Sequence, residues 1–208
     1  MTRQRSMAAL AALAAVVGIG CAGANRQDQM NGQLYGAAVA GQLDDVRVLL
    51  KKGANPNFRG PDSLTTLIAA MQHLQPDVVK ALLDAGADPN APDSTSAGAP
   101  PLVWGIELQE SLRKQREPSV AMIFCTAYLI NHGANVNAKD REGMTALSHA
   151  AMHGDLVAVQ VLLEHGGDPS SKDNAGKLAL NYVGDDGMFG RSREIRAALI
   201  AAAAVPRR

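Results

Sequence analysis

From residue 31 onward, apolar side chains recur in two alternating blocks. One block carries Val and Leu at helical spacing, as in Val46-Arg47-Val48-Leu49-Leu50, Val78-Val79-Lys80-Ala81-Leu82-Leu83 and Val157-Ala158-Val159-Gln160-Val161-Leu162-Leu163. Each run ends on a Leu pair, two further residues and a glycine (Gly53, Gly86, Gly166), and Leu129-Ile130-Asn131-His132-Gly133 is a fourth copy. The other block is shorter and Ala-rich: Leu34-Tyr35-Gly36-Ala37-Ala38, Leu67-Ile68-Ala69-Ala70 and Leu147-Ser148-His149-Ala150-Ala151, each Leu lying 19 residues before its glycine. Those glycines are 33, 47 and 33 residues apart. One period therefore predicts two helices, the first short and Ala-rich, the second closed by the glycine.

The polar positions supply the punctuation. A residue just past a helix C-terminus adopts left-handed dihedrals, which cost glycine least. Asn55-Pro56, Asp88-Pro89 and Asp168-Pro169 then lead the chain away extended, because proline disfavours helix in the residue before it. Asp140-Arg141-Glu142-Gly143 and Asp173-Asn174-Ala175-Gly176 are turn sequences suited to a hairpin between units. Thr65 and Thr145 are placed to cap first helices, and Gly41 and Gly154 to turn the chain into second helices. Ala37, Ala70 and Ala150, with Gly105 and Val183 at the corresponding positions, face neighbouring first helices. No unit can bury its apolar face alone, so stability has to come from stacking. Leu83 and Leu163 are expected in that core.

The middle separation exceeds the period by 14 residues: Leu102 lies 31 residues before Gly133, an excess of 12, and the remaining 2 precede it. Trp104, Leu108 and Leu112 recur at spacing four in this insertion, which predicts an elongated first helix or a helix with a projecting loop. A fifth unit begins near Lys172, carries an extra loop over 184–192, and ends in an Ala-rich helix from Glu194 to Ala204.

A period of 33 and the segment Thr145-Ala146-Leu147-Ser148-His149-Ala150-Ala151 resemble the ankyrin-repeat family, whose signature is T-P-L-H-x-A-A. Thr65-Thr66-Leu67-Ile68-Ala69-Ala70 is a looser copy. Ala146 and Thr66 stand in place of the family's Pro, and Ser148 and Ile68 in place of its His. The resemblance implies an all-α solenoid of about five stacked helix-turn-helix units joined by hairpin loops. Their bounds are near 31–59, 60–92, 93–139 with the insertion, 140–171 and 172–203, with a linker over 25–30 and a tail over 204–208. It further implies a non-enzymatic monomer that holds a protein partner along its first helices and hairpin tips. On that reading the partner-binding candidates are Trp104, Glu107, Arg113, Lys114 and Arg116 from the insertion, with Arg59, Asp62, Lys139, Arg141, Glu142 and Lys172 from the hairpins. A finger specific to one partner and a tolerated surface insertion with Trp104 in the core are equally open.

Composition narrows the function. Hydrophobic residues make up 47 % of the chain and aromatics only 3 %, so the core is aliphatic. The 20 basic and 20 acidic residues balance, and loss of Arg3 and Arg5 with a leader leaves 18 against 20, which gives no basic field for nucleic acid. Arg3 and Arg5 precede an uncharged run from Met7 to Ile19, the length of a signal-peptide core and too short to span a bilayer. Two exits follow: Gly18-Ile19-Gly20-Cys21, which resembles the lipidated cysteine of bacterial lipoproteins though Gly18 stands where Leu is preferred, and Ala22-Gly23-Ala24, an A-x-A cleavage site. Residues 1–24 are thus expected to be a signal peptide, and the chain is expected at the periplasm-facing envelope, tethered through Cys21 or soluble. Cys125 is the sole other cysteine and is expected as a buried apolar filler.

For chemistry the sequence offers little. No nucleophile elbow, phosphate loop or paired-carboxylate motif appears, and no catalytic residue, metal ligand or cofactor is assigned. His149 and His153, four apart on a helix, have a spacing that can hold zinc, but H-A-A-M-H lacks the glutamate of the metalloprotease motif; a metal-dependent or enzymatic envelope protein using them is the alternative reading. A toxin-neutralising, immunity-like binder is another. His132 and His165, just before helix-stopping glycines, are placed to cap helix carbonyls. Asp185-Asp186-Gly187 is too short for a calcium loop.

Overall fold

The computed structural model describes residues 25–94, 98–114, 120–184 and 191–204. Cys21 and the leader, Arg116, residues 185–190 and the end of the tail lie outside them, as do the side chains of Arg113 and Lys114. Among the described residues the fold is all-α, and the isolated bridges Arg59–Thr65 and Lys139–Thr145 close two of its hairpins. Two compact units divide the chain, Met1–Asp88 and Pro89–Arg208.

The first unit holds α1 (Arg26–Ala40), α2 (Leu43–Lys51), α3 (Thr66–Gln72) and α4 (Pro76–Asp84). The expected linker over 25–30 is instead the cap and opening turns of α1. Asn25 Oδ1 accepts from the Asp28 N–H at 2.9 Å, and Gln27 Nε2 donates to Asn31 Oδ1 and to the Gly53 carbonyl at 3.1 and 2.9 Å. Polar residues there satisfy a helix end, so no apolar period marked the start. First helix packs on first, α1 on α3, and second on second, α2 on α4. Leu34, Val46, Leu67, Ile68, Met71, Val79 and Leu82 are sealed between them. The Tyr35 ring lies over Gly60, where a Cβ would come 2.3 Å from the ring, and the Tyr35 hydroxyl donates to Asp62 at 2.5 Å.

The second unit holds α5 (Pro101–Lys114), α6 (Val120–Asn131), α7 (Ala146–Met152), α8 (Leu156–Glu164), a 3₁₀ turn (Ala179–Tyr182) and α9 (Ser192–Ala203). α5 packs on α6 and α7, α7 on α8 and the 3₁₀ turn, and α9 on α8 and that turn. The insertion is largely spent on α5, 14 residues long where α3 and α7 have 7, and on α6, 12 residues where α8 has 9. Leu102, Val103, Ile106 and Glu110 form its buried stripe, while Trp104, Leu108 and Leu112 flank it half-buried. In the last helix pair Leu162 is the sealed residue and Leu163, expected in the core, is half-buried. The fifth unit keeps only the 3₁₀ turn as its first helix, anchored by Ala179 and Val183.

The helix stops behave alike in both units. Gly53, Gly86, Gly133 and Gly166 have φ of 89°, 88°, 86° and 86°. Thr65 and Thr145 cap α3 and α7 by accepting from Ile68 and Ser148 N–H. His132 Nδ1 and His165 Nδ1 each donate at 2.8 Å to the carbonyl four residues earlier, Tyr128 and Val161. Two non-glycine residues occupy left-handed positions where sister repeats use glycine: Leu74 (φ 56°) in the register of Gly41 and Gly154, and Ser63 (φ 68°) in that of Gly143 and Gly176.

A side-chain clip joins successive repeats. Asn57 Oδ1 accepts from Asp88 N–H at 2.7 Å and its Nδ2 donates to the Gly86 carbonyl at 3.2 Å. Asn90 does the same to Asn135 N–H and Gly133, and Asn137 to Asp168 N–H and Gly166. In the first repeat Asn31 and Gln27 of α1 take over, bonding Asn55 N–H and the Gly53 carbonyl. Each clip satisfies both backbone groups exposed by the glycine stop of the next repeat.

Candidate functional site

The parallel placement of α5 and α7 brings residues from two repeats to one point. Glu107 lies on α5; His149 lies on α7 and His153 is its C-cap residue, one turn on. Glu107 Oε1 sits 2.5 Å from His149 Nδ1 and accepts from His153 Nε2 at 2.8 Å. The two rings are 6.3 Å apart, centre to centre, tilted by 32°. On its other edge, His149 Nε2 donates to Asp140 Oδ2 at 2.8 Å. Asp140 is fixed by the hairpin, where its Oδ1 accepts from Glu142 and Met144 N–H. Next to the cluster, Gln109 Nε2 donates to Asp155 Oδ2 at 3.1 Å, and Asp155 caps α8 through Ala158 N–H.

Electrostatics follow from this sandwich. The His149 ring 2.5 Å away, then the hydrogen bond from His153, hold the Glu107 carboxyl far below the usual carboxylate range. Burial opposes charge on His149, yet the carboxylates of Glu107 and Asp140 outweigh it and raise its pKa above that of a free imidazole. The ring of His149 is 7 % exposed, and its Nδ1 makes no hydrogen bond despite the short approach of Glu107, which lies off the line of a ring N–H.

Other predicted site residues have work inside their own hairpins. Arg59 donates to the Ser63 carbonyl at 3.2 Å, Asp62 accepts from Tyr35 and Leu64, and Lys139 Nζ donates to the Lys172 carbonyl at 2.7 Å. Asn174 ties the next hairpin to the carbonyls of Arg141 and Glu142. Lys139, Arg141, Glu142 and Lys172 are therefore brought together at two adjoining tips, while Arg59 and Asp62 belong to a hairpin of the first unit. Trp104 is half-buried on α5, neither sealed in the core nor fully displayed. Sequence reasoning paired His149 with His153 but missed Glu107 as their partner and Asp140 behind them. Also missed were Ile123, Phe124 and Val157, large apolar residues 54 %, 50 % and 55 % exposed; Phe124 and Val157 each stand nine residues before a helix-stopping glycine, on second helices. Cys125 is sealed as expected, and burial pushes its thiol up to about 12.

Two models of ankyrin repeats match, one for three copies over residues 9–109 and one for many copies over 129–183, between them most of the chain. Among curated proteins the chain is similar to human ankyrin repeat and SOCS box protein 6, 35 % identical over 134 residues, covering 64 % of this chain and 29 % of that protein. It is similar to human ankyrin repeat domain-containing protein 63, 32 % identical over 117 residues, 56 % of this chain and 28 % of the relative. A third match is the palmitoyltransferase AKR1 of Lachancea kluyveri, 28 % identical over 130 residues, 62 % of this chain and 16 % of that enzyme. The chain spans less than a third of the length of each.

Proposed function

Since this chain belongs to the ankyrin-repeat family, we propose that it is a non-enzymatic protein-binding module that holds its partner on the first-helix and hairpin-tip side of its second unit. The observation that carries this reading is α5, twice the length of the first helices α3 and α7, bearing a half-buried Trp104 and ending in Arg113 and Lys114. The added turns bury Glu110 and leave Leu108, Gln109 and Leu112 half-buried and Ser111 exposed, so most of what elongation adds is accessible surface. A rigid stack presents such a surface without the ordering cost of a loop. Tryptophan and arginine are the residue types that dominate binding energy at interfaces.

The same proposal places the module in a bacterial envelope, exported by residues 1–24 and either tethered at Cys21 or released after Ala24. Among the described residues no helix is long and apolar enough to cross a membrane, and in this reading the tether is the lipid on Cys21. A toxin or envelope enzyme is the kind of partner that an immunity-like binder would neutralise.

Pull-down from envelope extract with mass spectrometry tests the reading. A partner retained by the native chain and lost by Trp104→Ala combined with Arg113→Ala and Arg116→Ala supports it. Undiminished capture by that variant, with loss on Ile123→Ser combined with Phe124→Ser, would move the interface to the opposite helices. Intact mass of the mature protein decides between a diacylglyceryl Cys21 and an Asn25 start.

A further inference from the structure

Asp140 settles which nitrogen of His149 faces the cluster. A carboxylate only accepts, so the Nε2–Oδ2 contact of 2.8 Å places a proton on Nε2. Nδ1 is thereby left as an acceptor with no hydrogen bond and no water-accessible surface, 2.5 Å from Glu107 Oε1, which lies off its axis. A buried, unpartnered ring nitrogen crowded by a carboxylate oxygen is a pair of electron donors with nothing to bind, which suits a cation that draws on both. His153 Nε2 converges on the same oxygen at 2.8 Å, and the three candidate ligand atoms all lie within 4.8 Å of one another.

We propose that Glu107, His149 and His153 bind one divalent transition-metal ion, with Zn²⁺ the best match, and that the ion staples the first helix of the third repeat to that of the fourth. Two imidazoles and one carboxylate make a three-ligand set of the kind that leaves a fourth position to water. Asp140 completes it from behind: a histidine bound to metal characteristically gives its second ring N–H to a carboxylate, which fixes its orientation and basicity. The charge balances, since one dication meets Glu107 and Asp140 with both imidazoles neutral. Bonds of about 2.0–2.1 Å in a tetrahedron put ligand atoms roughly 3.3 Å apart, so Glu107 has to withdraw by under about 1 Å and the two ring nitrogens, within 4.8 Å of each other, have to close on the ion. The Glu107 side chain, 44 % exposed, has room to do so, and a rotamer adjustment of His153 at the C-terminus of α7 closes the ring pair while Asp140 holds His149 in place. The inference stands independently of the partner-binding reading.

Untagged full-length chain, stripped with EDTA and dialysed, is titrated with ZnCl₂ by calorimetry. One ion per chain with a dissociation constant on the order of 1 µM or below is expected. His153→Ala and Glu107→Ala, both outside the sealed core, should each weaken binding at least about tenfold, and Asp140→Asn, acting through His149, about 10–100-fold. Zn²⁺ should raise the melting temperature of the native chain and leave that of His153→Ala unmoved. No saturable binding below about 100 µM, or equal affinity in the native chain and His153→Ala, would overturn the proposal and leave a protonated histidine–carboxylate network in its place.

Discussion

Asn137 offers the sharpest test of how the repeats are joined. Its side chain makes two bonds to the next repeat, 2.7 Å from the Asp168 N–H and 3.0 Å to the Gly166 carbonyl. A neutral hydrogen bond contributes about 0.5–1.5 kcal/mol net, so the pair is worth about 1–3 kcal/mol. Both acceptor and donor border solvent, where water replaces part of what is lost, which places Asn137→Ala near the lower end, about 1–1.5 kcal/mol. For a chain of this size that corresponds to a fall of roughly 2–6 °C in melting temperature. Urea unfolding followed by circular dichroism measures it, with an unchanged m-value guarding against a change in cooperativity. Ser170 is the control: it holds the same register at the end of the fourth repeat, and its hydroxyl has no hydrogen bond among those described. Asn137→Ala within about 0.3 kcal/mol of the native chain, or no worse than Ser170→Ala, would refute the clip as a source of stability.

The left-handed positions predict opposite signs for opposite changes. Ser63→Gly should stabilise by about 0.5 kcal/mol, strain relief exceeding the added backbone entropy, whereas Gly143→Ala should cost about 1–3 kcal/mol because φ is 79° and a Cβ would meet the Asn174 backbone nitrogen at 2.8 Å; denaturant midpoints read both. Leu162→Ala should cost about 2–5 kcal/mol and Leu163→Ala distinctly less, by the same measurement, since only the former is sealed. Cys125, with a thiol pKa pushed up to about 12, should stay unmodified by a thiol reagent at pH 8 in the folded chain and react at once in denaturant; equal rates in the two states would contradict its burial.

The repeat frame was legible because its determinants are local. A glycine that must turn left-handed and a threonine that caps a helix each act within four residues, so their spacing exposes the period without knowledge of tertiary structure. The start of α1 was hidden because Asn25, Gln27 and Asn31 stabilise it by polar bonds that carry no apolar rhythm. Likewise the asparagine clips span 29 to 45 residues, and their Asn reads in the sequence as turn punctuation. For α5, the stripe at 104, 108 and 112 was the visible one, yet a helix twice the length of α3 and α7 is buried along 102, 103, 106 and 110, a choice set by α6 and α7.

The Glu107 cluster shows where chemistry can enter such a frame. Relative to the repeat Leu, His149 takes a position held elsewhere by Gly36, Ala69 and Trp104, and His153 one held by Ala40, His73 and Leu108. Glu107 takes the position of Val39, Gln72 and Met152. None of these places is dictated by the stacking, which fixes the Leu, the small Ala and the stopping Gly. Packing of α5 on α7 brings the three positions together, and there they carry ligating side chains with an aspartate behind one of them. The repeat supplies the geometry; residues it leaves unconstrained supply whatever specific chemistry the molecule has.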